Sequence, residues 1–250
     1  LFKRGINFVN VPTTFLSQVD SSIGGKTGIN TEDGKNLIGT FYQPNIVIID
    51  TEFLKTLKKR EIICGYAEIL KHSVIANHKF YKYLDKNCDK IFNLKSPHIE
   101  KSIFESCMIK KTIVEKDEKE TGLRKTLNFG HTFAHAYEAT LNYSKRLNHG
   151  EAVILGMKSA LNFSYKKKFI NIKNYKNILA HMSNANLNYS LSDYFTLKDI
   201  RKIISYMSND KKNNSSKINL ILLEKIGAPI ISKSYNKNYL ISFLKKELSY

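Results

Sequence analysis

The hydrophobic period of this 250-residue chain changes near Leu57, and that change limits the folds open to it. Ahead of it, residues 6–11 are apolar with polar interruptions, and residues 45–50 form a near-continuous β-branched run. Both read as strands, the second buried on both faces. Between them, residues 21–28 and 34–39 are dense in glycine and hydroxyl side chains, which favours loop and turn geometry and suits a ligand-binding connection. Beyond Leu57, residues 60–84, 98–116, 123–141, 151–167, 173–182 and 197–207 place apolar side chains at three- and four-residue spacing. Residues 218–231 suggest a short hairpin, and residues 235–248 a last amphipathic helix. The expectation is two unequal lobes, an α/β part over residues 1–57 and a larger all-α part over 58–250.

Composition narrows the function classes. Hydrophobic residues make up 42% and charged residues 25%, and no apolar run approaches the roughly 18 residues that a bilayer requires. No membrane partner is expected. Three cysteines at irregular spacing (Cys64, Cys88, Cys107) argue against a disulfide framework and for a reducing cytoplasm. The formal net charge of +18 is spread along the chain without an aromatic-interleaved basic stripe, so nucleic acid is not the expected partner. The opening, from Leu1 to Ile6, has no charged-then-apolar leader pattern and reads as a cut.

The chemistry gathers around a few polar residues in helical segments. His131 and His135 stand four apart, so their imidazoles leave one helix face, and no glutamate follows the first as it does in zinc proteases. His149 lies at the mouth of the next helix, after a short connection that returns towards the pair. Glu68 sits on an otherwise apolar helix face, where a carboxylate must be paired or ligate something. Glu68, His131 and His149, with His135 at ligand spacing beside them, are therefore read as the candidate ligand set of one divalent metal. The alternative for Glu68 is a salt bridge with Lys71 or Arg124. Lys26, Lys35, Lys71, Lys110, Arg124, Lys211 and Lys212 lie beside glycines or on apolar helices, where cations suit a small polyoxygenated anion.

These residues fall in longer strings: Asp20-Ser21-Ser22-Ile23-Gly24-Gly25-Lys26-Thr27-Gly28, Gly34-Lys35-Asn36-Leu37-Ile38-Gly39, Gly65-Tyr66-Ala67-Glu68, Glu120-Thr121-Gly122-Leu123-Arg124, Leu127-Asn128-Phe129-Gly130-His131-Thr132 and Asn148-His149-Gly150-Glu151. In that order, to about Lys212, they resemble the 3-dehydroquinate synthases of the sugar phosphate cyclase family. The resemblance implies conversion of 3-deoxy-D-arabino-heptulosonate 7-phosphate to 3-dehydroquinate and phosphate in the shikimate pathway, with NAD and one zinc or cobalt ion. The metal ligands it implies are again Glu68, His131 and His149, with His135 a proton-transfer candidate.

The same likeness puts Lys26, Lys71, Lys110, Arg124, Asn128 and a lysine of the Lys211-Lys212 pair on the substrate, with Asp20 and Asn36 orienting it. Arg4 would reach the phosphate of a neighbouring subunit in a homodimer. Thr13, Thr14, Lys26, Lys35, Phe53, Leu54, Lys55 and Thr56 would touch NAD. For the fold it implies the remnant of a Rossmann-like NAD-binding domain, its glycine-rich pyrophosphate loop expected ahead of Leu1, followed by a helical metal-binding domain with a short β-hairpin. The competing readings are an inactive truncated remnant and a related metal- and NAD-dependent cyclase or polyol dehydrogenase.

Overall fold

The computed structural model describes residues 5–31, 34–209 and 217–249, with backbone alone at 30, 34–37, 209 and 232. Arg4, Lys211 and Lys212 lie outside the described residues, and of Lys35 and Asn36 only the backbone is described.

The first lobe departs from the expected pattern in two ways. Strands β1 (Val9–Asn10) and β4 (Ile46–Val47) do pair in parallel, but each is two residues long. Residues 45–50 are not buried on both faces: Ile46 is 56% exposed and Ile48 50%, because among the described residues this sheet has two strands and no layer over its apolar side chains. The glycine-rich stretch read as loop is instead an antiparallel hairpin, β2 (Lys26–Thr31) with β3 (Gly34–Phe41). Glycines at 28, 34 and 39 blank the alternation that marks a strand, yet Gly39 is needed there, since a Cβ would collide with the backbone carbonyl of Thr27.

The helical part is built around α1 (Lys59–Ala76) and α5 (His149–Lys166). Both are buried around most of their circumference, as suits helices enclosed by neighbours rather than lying on a surface. Around them lie α2 (His78–Phe92), α3 (His98–Lys116), α4 (His131–Thr140), α6 (Ile172–Asn184) and α7 (Ile200–Asn209). The expected helix over 60–84 is two helices, because Asn77 leaves helical geometry and its side chain caps α2 by accepting from Phe80 N at 3.0 Å. The expected helix over 123–141 is a 3-10 turn (Leu123–Asn128) followed by α4. Gly130 divides them at φ +79°, with a Cβ there only 2.7 Å from Met157 N, so no side chain fits.

The C-terminal hairpin is longer than expected. Strands β5 (Lys217–Lys225) and β6 (Ala228–Asn236) pair antiparallel over nearly their full length, and α8 (Lys237–Glu247) begins after Tyr235 rather than at it. Phe243 on α8 meets Phe163 of α5 and Phe133 of α4, with ring centroids 5.0 and 6.2 Å apart. The last helix thereby closes the apolar core beneath the helices that carry the histidines.

Candidate metal centre and anion site

Three helices meet at one buried carboxylate. Glu68, in the middle of α1, is fully buried, and its Oε1 lies 3.4 Å from Nε2 of His131 and 3.5 Å from Nε2 of His149. His131 is the first residue of α4, aimed inward by the left-handed turn at Gly130. His149 is the first residue of α5, behind a capping box in which the Asn148 side chain accepts from Glu151 N and Glu151 Oε2 accepts from Asn148 N, both at 2.9 Å. Gly150 lets this end of α5 settle against Cys64 of α1, where a Cβ would overlap Cys64 Cα. The three ligand atoms lie within 4.8 Å of one another.

This set fits a divalent cation. The Glu68 carboxylate is fully buried, and both imidazoles turn a ring nitrogen to its Oε1, which leaves an enclosed negative charge and acceptor capacity that burial makes costly unless a cation takes it. Lys71, one turn along α1, forms an ion pair with Oε2, so the salt bridge weighed as the alternative is present beside the histidines; Arg124 instead donates to Gly24 O at 2.7 Å and to Glu118 O. Burial raises the Glu68 pKa, but the Lys71 ammonium and His131 outweigh it and hold the carboxyl well below its usual range. Burial lowers the pKa of His131. It acts the same way on His149, yet contacts with Glu138 and Glu68 push that imidazole up to about 10. His135 is exposed, its ring centroid 5.3 Å from that of His131, which places it at the mouth rather than among the ligands.

A second cluster adjoins the first. Asp20, in a π-helical turn (Ser17–Ser21), accepts from Lys110 Nζ at 2.8 Å through Oδ1 and at 2.5 Å through its backbone carbonyl. His72 faces the same carboxylate at 3.5 Å and meets Ser106 Oγ at 2.7 Å through Nδ1. Asp20, Glu68 and His72 also lie within metal-ligand reach of one another, but the ammonium groups of Lys71 and Lys110 already stand there. Burial raises the Asp20 pKa, and Lys110 more than reverses it, keeping the carboxylate ionised. Two buried lysines beside two ionised carboxylates form a polar floor able to orient an oxygen-rich ligand.

The rim comes from the loop ahead of α4. The Asp117 carboxylate accepts from Thr121 N, Gly122 N and Arg124 N at 2.7–2.9 Å, folding residues 117–124 into a tight loop. That loop turns Glu120 towards Lys26 and Asn128, both of which contact its carboxylate. Lys26 and Asn128 thus share Glu120, while Lys71 pairs with Glu68, Lys110 with Asp20, and Arg124 with the carbonyls of Gly24 and Glu118. Asp117, Glu120, His72 and Glu138 take part in the contacts described above as well and were not singled out from sequence. For Glu138 a signal exists, since His131, His135 and Glu138 repeat at four and then three residues along one face of α4.

The residues expected to touch NAD are only partly gathered. Gln18 Nε2 donates to Pro12 O and Asp50 O, tying the segments next to Thr13 and Thr14 and to the 3-10 turn Thr51–Thr56. Thr14 spends its hydroxyl on Ser17. Phe53 is partly exposed, whereas the Leu54 side chain is fully buried and could offer a ligand only its backbone.

Taken together, this is a helical cluster able to hold one divalent cation, with two imidazoles and a carboxylate at its heart and basic groups beside it suited to an anion. Known proteins make the class specific. The family models described as 3-dehydroquinate synthase N-terminal and C-terminal match residues 1–64 and 65–213, and the chain belongs to the 3-dehydroquinate synthase family. It is 58% identical over 248 residues to the 3-dehydroquinate synthase of Pelagibacter ubique (strain HTCC1062), covering 99% of this chain and 67% of the relative. The chain spans about two thirds of the length of the curated relatives it matches.

Its fold is shared with the 2-epi-5-epi-valiolone synthase of Streptomyces hygroscopicus subsp. jinggangensis 5008, solved with NAD+ and Zn2+ bound (TM-score 0.87, 22% identity, 100% of this chain and 68% of that one). It is shared equally with a 2-deoxy-scyllo-inosose synthase complexed with carbaglucose-6-phosphate, NAD+ and Co2+ (TM-score 0.86, 24% identity, 98% and 68%). Among the described residues no helix is long and apolar enough to cross a membrane.

Proposed function

We propose that this chain carries the metal- and substrate-binding part of a 3-dehydroquinate synthase, acting on 3-deoxy-D-arabino-heptulosonate 7-phosphate with NAD and one divalent cation. The observation that carries the reading is the Glu68, His131 and His149 cluster, with Lys71 paired to Glu68 and Lys110 paired to the adjoining Asp20. A sugar acid phosphate needs such a surround: a cation for adjacent hydroxyls, and ammonium and guanidinium groups for carboxylate and phosphate. When bound, the cation supplies Lewis acidity towards those hydroxyls and NAD accepts and returns a hydride.

The chain's own residues position the substrate. Lys71 and Lys110 hold ionised carboxylates in the floor and present the remaining ammonium donors to ligand oxygens. Asp20 and Asn36 orient hydroxyl groups, Lys26, Arg124 and Asn128 line the anion side, and His135 at the mouth moves a proton. Lys211 or Lys212 completes the phosphate contacts, and Arg4 reaches a neighbouring subunit in a homodimer. Thr13, Thr14, Lys26, Lys35, Phe53, Leu54, Lys55 and Thr56 serve NAD. The division into an NAD-binding part over 1–57 and a helical part over 58–250, and a cytoplasmic location, belong to the same reading.

Phosphate release from the heptulosonate phosphate, with NAD+ and Zn2+ or Co2+ supplied, tests it. Release should exceed the rate without protein and disappear in Glu68→Ala. A metal-loaded protein that releases phosphate no faster than buffer would overturn the assigned activity.

A further inference from the structure

His131 and His149 approach Glu68 with the same ring nitrogen. In each, Nε2 faces Oε1 and Nδ1 faces an acceptor outside the cluster: the backbone carbonyl of Phe129 at 3.3 Å for His131, the carboxylate of Glu138 at 3.4 Å for His149. A carbonyl in the chain's own turn comes with the fold and fixes His131. His149 has no such neighbour, since it opens α5 after an exposed connection and its side chain is 31% exposed. A neutral imidazole carries its proton on either nitrogen, and one with the proton on Nε2 cannot ligate through Nε2. Something must choose for His149, and Glu138 is the group placed to do so. It is buried, stands on α4 rather than α5, and lies on the face that carries His131 and His135.

We propose that Glu138 is a positioning residue for the cation site: its carboxylate accepts a hydrogen bond from Nδ1–H of His149, keeping the proton on that nitrogen and the Nε2 lone pair on the point shared with Glu68 and His131. The inference rests on the reading of those three residues as metal ligands. It assigns Glu138 no contact with substrate or cofactor. Because α4 supplies both His131 and the group that aims His149, a displacement of α4 relative to α5 would disturb both histidines at once.

Titration of Co2+ and Zn2+ into the full chain, with the visible absorption of bound Co2+ as a second readout, separates this role from a structural one. Glu138→Ala should weaken affinity about 10- to 100-fold and change the Co2+ spectrum, the scale seen when carboxylate partners of ligating histidines are removed. Glu138→Gln, whose amide oxygen still accepts from Nδ1, should recover most of the affinity at unchanged urea resistance. Glu138→Asp, with the carboxylate drawn back by one methylene, should fall between them and keeps the test open where the alanine variant does not fold. Affinity and spectrum within twofold of the parent in the alanine or aspartate variant would overturn the proposal, as would a glutamine variant no better than alanine. A parent chain that binds neither ion would instead overturn the metal reading beneath it.

Discussion

His181 shows how a buried imidazole away from the cation site bears on stability. Its Nε2 lies 2.8 Å from the Tyr66 hydroxyl and its Nδ1 3.0 Å from the Asp85 carboxylate, with the ring almost wholly enclosed. Burial lowers its pKa more than Asp85 raises it. The folded state then binds fewer protons at this site than the unfolded chain, so its contribution is complete above the ordinary imidazole value of about 6.5 and is lost as pH falls below it. His149 without metal has the opposite sign: shifted up to about 10, it stabilises below the ordinary value and loses that contribution as pH rises through 10. The curve of the parent protein mixes the two. The informative quantity is the difference in urea-unfolding free energy between parent and His181→Gln, in which shared groups cancel. The parent's advantage should shrink between pH 7.5 and 5.5, and a difference constant across that range would contradict the assignment.

At the scale of elements, the start of α5 decides where His149 stands. Besides the capping box, Arg60 of α1 donates from Nε and Nη2 to the two Glu151 oxygens at 2.6 and 2.5 Å, and from Nη1 and Nη2 to Lys145 O and Arg146 O at 2.6 and 3.0 Å. One guanidinium thus fastens α1, the α4–α5 connection and the end of α5, a geometry that a single ammonium cannot reproduce. Loss of the Asn148 cap in Asn148→Ala should cost about 1 kcal/mol. Arg60→Ala should cost about 2 kcal/mol, since the charged hydrogen bonds are strong but Arg60 itself is partly in solvent. Arg60→Lys should recover little of it. Urea denaturation measures all three, and an Arg60→Lys protein as stable as the parent would show that the fork is not what fastens these elements. The α4–α5 crossing is close for a related reason: Gly156 faces Gly130 O and Ala134, so the alanine finds room because the opposite helix has no side chain there.

For the whole molecule, a cation at Glu68, His131 and His149 would bridge α1, α4 and α5, the two central helices and the one that α7 and α8 close over. Binding to the folded chain alone stabilises by mass action, about 2.7 kcal/mol at a free ion concentration one hundred times the dissociation constant. Zn2+ at that level should raise the midpoint of thermal unfolding by several degrees, and a chelator should return it. No change in midpoint on adding or removing the ion would show that the folded chain does not hold it at this cluster.

Read as letters, the chain specifies most of its helices and points to three candidate ligands, because helical period is local and Glu68, His131 and His149 each sit in a short stretch whose chemistry is legible within one turn. Other features were not legible for physical reasons. The hairpin over 26–41 hides behind glycines with no side chain to show alternation, and the break at Asn77 hangs on one capping oxygen. The exposure of Ile46 and Ile48 depends on how many strands and layers share their sheet. Folding alone brings Glu138 to His149, Arg60 to Glu151 and Lys110 to Asp20, since each pair joins separate elements. It also adds a fact about Glu68 that motif spacing cannot hold: its ionised carboxylate is fully buried, with the Lys71 ammonium on one oxygen and both imidazoles turned to the other, and a charge so enclosed gives the candidate trio its physical reason to bind a cation.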